Sequence, residues 1–475
     1  MALINRLKVI SKSDMDWIHA ASLKILEETG VVFHSEEALE LCKRKGAKVN
    51  GKIAYFSPQM VSQALETAPE TFSWQARNDA YSVRVGDKKE RLLFQPNGGP
   101  IFIQDLDKGR RKATLEDFAN TIKLCHASDV VSLIGSFPVD PGDVNPEDKY
   151  LYMMHEILRN TDKPVIAFET SGPKIKHMLK MVELSFGQKD FFNRNHCVGV
   201  AVCPLSPLAF EPASCETIIE FAKQNQIIFF TAAIMGGFSG PISLIGTVIQ
   251  QNTEILAGIT LAQLANPGNP VVYSNGSAVA NMRNGNFTTG SPEMMLIHIA
   301  GMQMSLDHYH LPTRSMCGMT DSKIIDYQAG YETMQNLLMA ALGGTHMAFE
   351  CIGVLDSIMT TSYEKVVIDL ELLSRIMRIR EGMDTSGKEQ ALNVIQEIGH
   401  ETIHITHPDT LAHFRNRWLP ELSNWETYEN WQESGSADVA ARANRKYKEI
   451  LENAPQTLID PEVEKVLQSY MRRCL

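Results

Sequence analysis

The chain has 475 residues, 44% hydrophobic and 21% charged, with Gly 31 and Pro 21. That balance excludes a disordered, collagen-like or coiled-coil protein and permits a large buried core. The formal net charge is −11 and no run of Lys or Arg interrupts it, which argues against nucleic acid or an anionic membrane as partner and weakly favours cationic or neutral ones.

The N-terminus, MALINRLKVISKSDMDW, has no long apolar stretch behind its charges. No later window reaches the ~18 apolar residues of a membrane helix, so the expectation is a soluble, unexported protein. The eight cysteines (42, 125, 197, 203, 215, 317, 351 and 474) form no CxxC pair. That argues against a zinc ribbon, a thioredoxin motif or a disulfide framework, and a reducing cytoplasm is the expected setting.

SDMDWIHAASLKILEETG opens the chain with helical spacing, Ser13 as its cap and Gly30 as its stop. Shorter helical patches follow at 36–46 and 58–68, and residues 72–95 alternate apolar and polar around a charged turn at GDKKE, as a hairpin would. From Arg91 the rhythm changes. Strand-like runs occur at LLFQ, VVSLIG, PVIAFE, CVGVAVC, QIIFFTA, PVVYSN, YHLPTRSM and HMAFEC, eight in all, each followed by a helical pattern. Thr114 with Asp117, and Ser291 before Pro292, are helix-start chemistry. The strands are apolar throughout and recur at roughly 36-residue intervals, as parallel strands joined by single helices require. A solenoid would also be periodic, but the units share no motif. The prediction is an α/β fold: a (β/α)8 TIM barrel over 91–382, preceded by helices and a small hairpin (1–90) and followed by a C-terminal helical extension (383–475) packed on it.

No GxGxxG follows a strand and no GxxxxGK[ST] occurs, so a nucleotide cofactor is not expected. Asp307-His308-Tyr309-His310 lacks the spacing and glycine of a cobalamin-binding Asp-x-His-x-x-Gly loop, so a corrinoid would have to come on another protein. His400-Glu401-Thr402-Ile403-His404 matches HExxH, which on a helix aligns two imidazoles for zinc. Pro408 ends that helix soon after, the position lies outside the barrel, and a third ligand from Glu421, Glu426 or Glu429 is unsupported. No metal is therefore predicted, and a zinc metallohydrolase stands as the alternative.

Barrel enzymes carry their sites at the C-terminal strand ends. Candidates there are Gln95, Asn97, Phe137, Glu169, Cys203, Met235, Tyr273, Asn275, Arg314, Cys317, His346 and Glu350. On the last strand His346, Ala348 and Glu350 share one face, and Met347 and Phe349 the other. If the polar face is the lumen, His346 and Glu350 point into the pocket as catalytic groups. Glu169 and Asn97 end apolar strands, where a polar group is costly unless used or paired. Tyr273, Phe349 and Tyr363 are either core packing or parts of a cation cage.

The segments GGFSGPISLIGTVIQQNTEILAGITLAQLANPGNPVVYSNGSAVANMRNGNFTTGSPE, SMCGMTDSKIIDYQAGYE, SYEKVVIDLELL, HFRNRWLPELSNWETYENW and ARANRKYKEILE together resemble the trimethylamine methyltransferase family, across nearly the whole chain. The resemblance implies a barrel that moves a methyl group from an amine to Co(I) cobalamin on a separate corrinoid protein, binding no cofactor itself. The chain shows only the twenty ordinary residues and so resembles the branch without pyrrolysine, whose substrates are quaternary amines such as glycine betaine, proline betaine and carnitine; glycine betaine is the expected substrate on that resemblance. A quaternary nitrogen leaves as a neutral amine and needs no acid. The expected substrate-binding set is Asn97, Glu169, Tyr273, Asn275, Arg314, Cys317 and Phe349. Arg314, Arg283, His346 or backbone N–H groups are candidates for a substrate carboxylate. A corrinoid protein docking at the barrel top and a homo-oligomer are the expected partners, and a non-catalytic betaine-binding protein is the other alternative.

Overall fold

The computed structural model describes residues 5–87, 91–188, 190–400 and 403–475. Among these, eight short parallel strands form one sheet: β1 (Leu93–Phe94), β2 (Ile134–Gly135), β3 (Val165–Ala167), β4 (Val198–Val202), β5 (Ile227–Ala232), β6 (Val271–Asn275), β7 (Thr313–Met316) and β8 (Met347–Phe349). β8 pairs with β1, and Phe94 bridges in parallel to Val131 just before β2, which closes the sheet into a TIM barrel. All eight lie where the apolar runs predict them.

Helices α1 (Leu115–His126), α2 (Lys149–Asn160), α3 (Pro173–Ser185), α4 (Pro212–Lys223), α5 (Leu244–Ala265), α6 (Pro292–Gln303), α7 (Tyr327–Gly343) and α8 (Tyr363–Glu381) follow the strands in turn. Two predicted starts form as read. Thr114 and Asp117 make a full capping box at α1, and the Ser291 side chain accepts from Met294 N ahead of Pro292. α5 carries no charge but Glu254 and is buried along most of its length, because it is covered by the N-terminal helices Lys12–Glu28 and Pro58–Thr67 on its outer side. The first of these is capped by Ser11, with Asp14 completing a capping box, and not by Ser13.

Several sheet features go beyond what the apolar runs predict. Val31–Phe33 pairs in parallel with Ala209–Phe210 beyond β4, stacking the rings of Phe33 and Phe210 and stitching the N-terminal unit to the barrel. Loops after β1 and β8 join in a side sheet, Phe102–Asp105 and Gly109–Lys112 with Val354–Leu355 and Thr360–Ser362. The hairpin at 72–95 also has a different turn. Phe72–Trp74 pairs with Val83–Val85 around a short helical turn at Asp79–Tyr81, and GDKKE comes after the second strand, with residues 88–90 outside the described residues. The cause is β1, whose Leu93 and Phe94 are claimed by the barrel.

That hairpin plugs the N-terminal end of the barrel. Phe72 and Trp74 share one apolar cluster with Leu93, Leu133, Ile166, Ile227, Phe229, Val272 and Met347. Ile227 and Phe229 lie two apart on β5, and Leu93, Ile166, Val272 and Met347 come one to a strand, marking the inward face. Full burial of each large side chain contributes about 1.5–3 kcal/mol. Gly199 on β4 makes the space, since a Cβ there would lie 2.7 Å from atoms of both the Trp74 and Phe229 rings.

The C-terminal extension packs on the outer helices. Helix α9 (Val439–Asn453) lies against α8 and α1, and helix α10 (Pro461–Cys474) against α3 and α2. No described helix is long and apolar enough to cross a membrane. Gly199→Ala is expected to lower stability by about 1–3 kcal/mol through overpacking of the plug, read as a lower urea midpoint with unchanged slope; an unchanged midpoint would contradict the packing.

Candidate functional site

Strand parity decides which candidates meet. On β7 Arg314 points inward: its guanidinium carbon sits 4.8 Å from the centre of the Phe229 ring and 3.6 Å from that of Phe349. Only 2% exposed, it is held by neutral acceptors. Nε and Nη2 donate to Gln95 Oε1 at 3.2 and 2.9 Å, and Nη1 donates to Thr231 Oγ1 at 3.3 Å and Ser274 Oγ at 3.4 Å. Burial lowers its pKa to about 10, with Glu350 acting in the opposite sense, so it stays charged at neutral pH.

Glu350 follows β8. Met347 lies in the lumen cluster and Ala348 in the outer core, so the inward face is Met347 and Phe349, opposite to the face expected from polarity. Glu350 nevertheless turns toward the site because its backbone is left-handed, φ 54°, which breaks the alternation. Its Oε2 accepts from Gly98 N at 2.9 Å. A Cβ on Gly98 would lie 3.0 Å from Glu350 Oε1 and 3.1 Å from Ser136 Oγ, so Gly98 lets these three loops converge. Burial pushes the Glu350 carboxyl up to about 8, against the Gly98 N–H and Arg314.

Glu169, beyond β3, accepts from Ser214 Oγ at 2.5 Å and Cys203 N at 3.1 Å. Its carboxyl is raised by burial, with those two hydrogen bonds opposing. The rings of Phe137 and Phe168, from the ends of β2 and β3, lie 4.7 Å apart beside it. Cys203 is exposed to solvent, whereas burial pushes the Cys317 thiol up. Cys317 is fully buried, with its N–H donating to Phe349 O.

Five candidate residues serve elsewhere. His346 sits at the start of β8, the opposite end of the barrel from the mouth, where Nδ1 accepts from Thr313 N at 3.2 Å and its carbonyl accepts from Leu93 N. Tyr273 and Asn275 have outward parity on β6. Tyr273 Oη donates to Asn252 of α5, and Asn275 accepts from Gln251 of α5 while donating to Thr313 Oγ1 and Arg314 O. Asn97 is buried and donates to Thr361 of the side sheet at 3.0 Å, fastening a loop. Tyr363, opening α8, donates to Asp117 and stacks on Tyr447, a packing role.

The HExxH string is not helical where described. The preceding helix, Lys388–Ile398, ends at Gly399, so His400 falls beyond it, and His404 opens a separate turn, His404–Thr406. Glu401 and Thr402 lie outside the described residues. Among the described residues no group of three or more His, Cys, Asp or Glu is arranged to hold a metal.

Thr231, Ser274, Phe168 and Phe229 belong to the site and were not singled out. Counting parity inward from Phe229 and Val272 would have found Thr231 and Ser274. His298 of α6 was also missed. Its Nε2 lies 2.9 Å from Ser277 O and its Nδ1 3.0 Å from both Ser315 Oγ and Met316 O, bracing the ends of β6 and β7 from behind. Burial lowers its pKa to about 4 and keeps it neutral.

Residues 2–474 match the trimethylamine methyltransferase (MTTB) family. The chain belongs to this family. It is 33% identical over 470 residues to the glycine betaine methyltransferase of Desulfitobacterium hafniense (strain Y51), covering 99% of this chain and 97% of that one. It is 31% identical over 482 residues to the proline betaine:corrinoid methyltransferase of Eubacterium limosum, covering 98% and 97%. The crystal structure of the Methanosarcina barkeri monomethylamine methyltransferase (MtmB) superposes with a TM-score of 0.53 at 12% identity, covering 94% of this chain and 89% of that one, a likeness of fold. This member of the MTTB family is a methyltransferase.

Because His346 lies at the far end of the barrel from the mouth, His346→Ala is expected to leave kcat within about twofold and to lower stability by about 1 kcal/mol through the lost hydrogen bond. Steady-state kinetics with thermal melting check this; abolished turnover in a folded variant would contradict it.

Proposed function

We propose that this MTTB methyltransferase transfers a methyl group from a quaternary amine, glycine betaine in the first instance, to a cobalamin carried by a separate corrinoid protein. The carrying observation is a cluster of charged and aromatic side chains at the mouth of the barrel, where Glu169, Glu350 and Arg314 all lie close enough to Cys203 to act on it electrostatically and the Phe137 and Phe168 rings pair at the ends of β2 and β3. Carboxylates and aromatic faces are the two surfaces that hold a quaternary ammonium, which has no N–H to donate. The identity to the glycine betaine methyltransferase of D. hafniense supports the choice of substrate.

When the partner docks, its corrinoid supplies a Co(I) nucleophile. The bond that breaks is one N–CH3 bond: its electron pair stays on nitrogen, which leaves as a neutral tertiary amine, dimethylglycine from glycine betaine. No proton is required, so the chain's residues bind, orient and exclude water. Opposite charges are neutralised along the reaction, and a dry site favours that change. Aromatic contact worth about 0.5–2 kcal/mol aids affinity more than rate, because the positive charge fades toward the transition state.

The rim of the mouth suits a protein partner. Phe238 and Ile242 after β5, Met282 after β6, Tyr327 after β7 and Met359 after β8 are exposed, whereas the C-terminal extension packs on the outer helices. An exposed apolar rim around a polar well is the character of an interaction surface.

Incubated with Co(I) cobalamin and a panel of methylated amines, the protein is expected to deplete Co(I) absorbance with glycine betaine, forming one dimethylglycine per methyl group transferred. Trimethylamine is expected to give no turnover. No depletion with any quaternary amine, or a preference for trimethylamine, would overturn the proposal.

A further inference from the structure

Arg314 and Glu350 are both buried at the same site, 2% and 5% exposed, and each influences the protonation of the other. Their hydrogen bonds nevertheless go to other groups: the guanidinium to Gln95, Thr231 and Ser274, and the carboxylate to the Gly98 N–H. A guanidinium has five N–H donors. Four of those on Arg314 are engaged, all with neutral oxygens, and one on Nη2 has no acceptor among the described residues. A buried cation held only by neutral acceptors gains most from an anion. Arg283, the other arginine considered for a substrate carboxylate, is exposed in the loop after β6, and His346 lies at the opposite end of the barrel.

We propose that Arg314 and Glu350 are the two poles of a zwitterion seat: Arg314 receives the carboxylate of an amino-acid betaine, and Glu350 faces its quaternary nitrogen. The seat rests on the quaternary-amine reading above and narrows it to betaines that carry a carboxylate. It also orients the substrate. Arg314 is deep, beside the Phe229 layer that meets the Trp74 plug, so a carboxylate bound there turns the methyl groups toward the open mouth.

Specificity follows from charge. An amine without a carboxylate, such as tetramethylammonium, leaves Arg314 uncompensated and is repelled by it. A carboxylate bound by a charge-assisted bond is expected to favour glycine betaine over tetramethylammonium on the order of 100-fold in Kd. The pH dependence has a definite sign. Burial raises the Glu350 carboxyl well above the ordinary carboxylate range in the free site, and a cation favours its ionised form, so binding to the protonated site expels a proton and affinity rises with pH until Glu350 is ionised in the free site. The other titratable groups acting on Glu350 or acted on by it are Arg314, Cys203 and Cys351. Burial raises the Cys351 thiol well above its ordinary value, Cys203 is exposed to solvent, and Arg314 remains charged at neutral pH.

The test is calorimetric titration of the full chain with glycine betaine and with tetramethylammonium, from pH 6 to 9, for the wild type, Arg314→Met, Arg314→Lys and Glu350→Gln. The expected result is a wild-type preference for betaine on the order of 100-fold, which Arg314→Met erases by weakening betaine while leaving tetramethylammonium equal or tighter. A residue that merely supported the fold would weaken both. Glu350→Gln is expected to flatten the rise with pH for both ligands. If Arg314→Met fails to fold, Arg314→Lys decides the matter: weakened betaine binding with tetramethylammonium unchanged supports the seat, and betaine binding unchanged from the wild type overturns it. Turnover of quaternary amines with equal affinity for the two ligands would overturn the seat alone. Binding of neither ligand, together with no Co(I) depletion by any quaternary amine, would overturn the quaternary-amine reading and the seat with it.

Discussion

Closing eight parallel strands on themselves sorts every strand residue by parity, and the rest of the molecule follows from that sorting. Inward positions stack in layers: Leu93, Ile166, Ile227 and Met347 near the plug, Phe229 and Val272 with them, and then Arg314, Thr231, Ser274 and Phe349 above. The lower layers are apolar and sealed by Trp74. The upper one is polar, so the barrel changes from core to binding site within about two residues of strand. A guanidinium at this boundary is tolerated because its partners are fixed by the strands that carry them.

Outward positions serve the opposite purpose. Tyr273, Asn275 and Ser315 face α5 and α6, where Asn252, Gln251 and His298 satisfy them. These polar contacts behind the barrel wall fix the ends of β6 and β7, and therefore the depth at which Arg314 stands. The most demanding position is Glu350, which leaves strand geometry through a left-handed backbone and is received by Gly98. A non-glycine residue in that conformation is costly, and such strain collects where function needs a side chain re-aimed.

The strands and their helices were legible because parallel strands buried on both faces read as continuous apolar runs, and each was bounded by turn or cap chemistry such as Thr114 with Asp117. The same property hid the site. An apolar run carries no mark of which face is inside, so the inward face of β8 was assigned by polarity, and His346 was placed with the wrong set. Tyr273 and Asn275 were misassigned for the same reason: being polar at a strand end does not say which side of the wall a residue occupies. Arg314, Glu169 and Phe349 were recognisable as costly or bulky groups at strand ends. Their mutual arrangement depended on register across strands distant in sequence. The hairpin plug and the side sheet were hidden for a related reason, since Trp74 and Thr361 find their partners only after the barrel has closed.

The central claim is an orientation: carboxylate down, methyl groups toward the mouth. A crystal structure of the protein with glycine betaine tests it most directly. The account predicts a carboxylate oxygen within hydrogen-bond distance of Arg314 Nη2 and the quaternary nitrogen on the Glu350 side, with an N-methyl group facing the opening. A betaine bound with its ammonium beside Arg314, or lodged outside the barrel mouth, would contradict it.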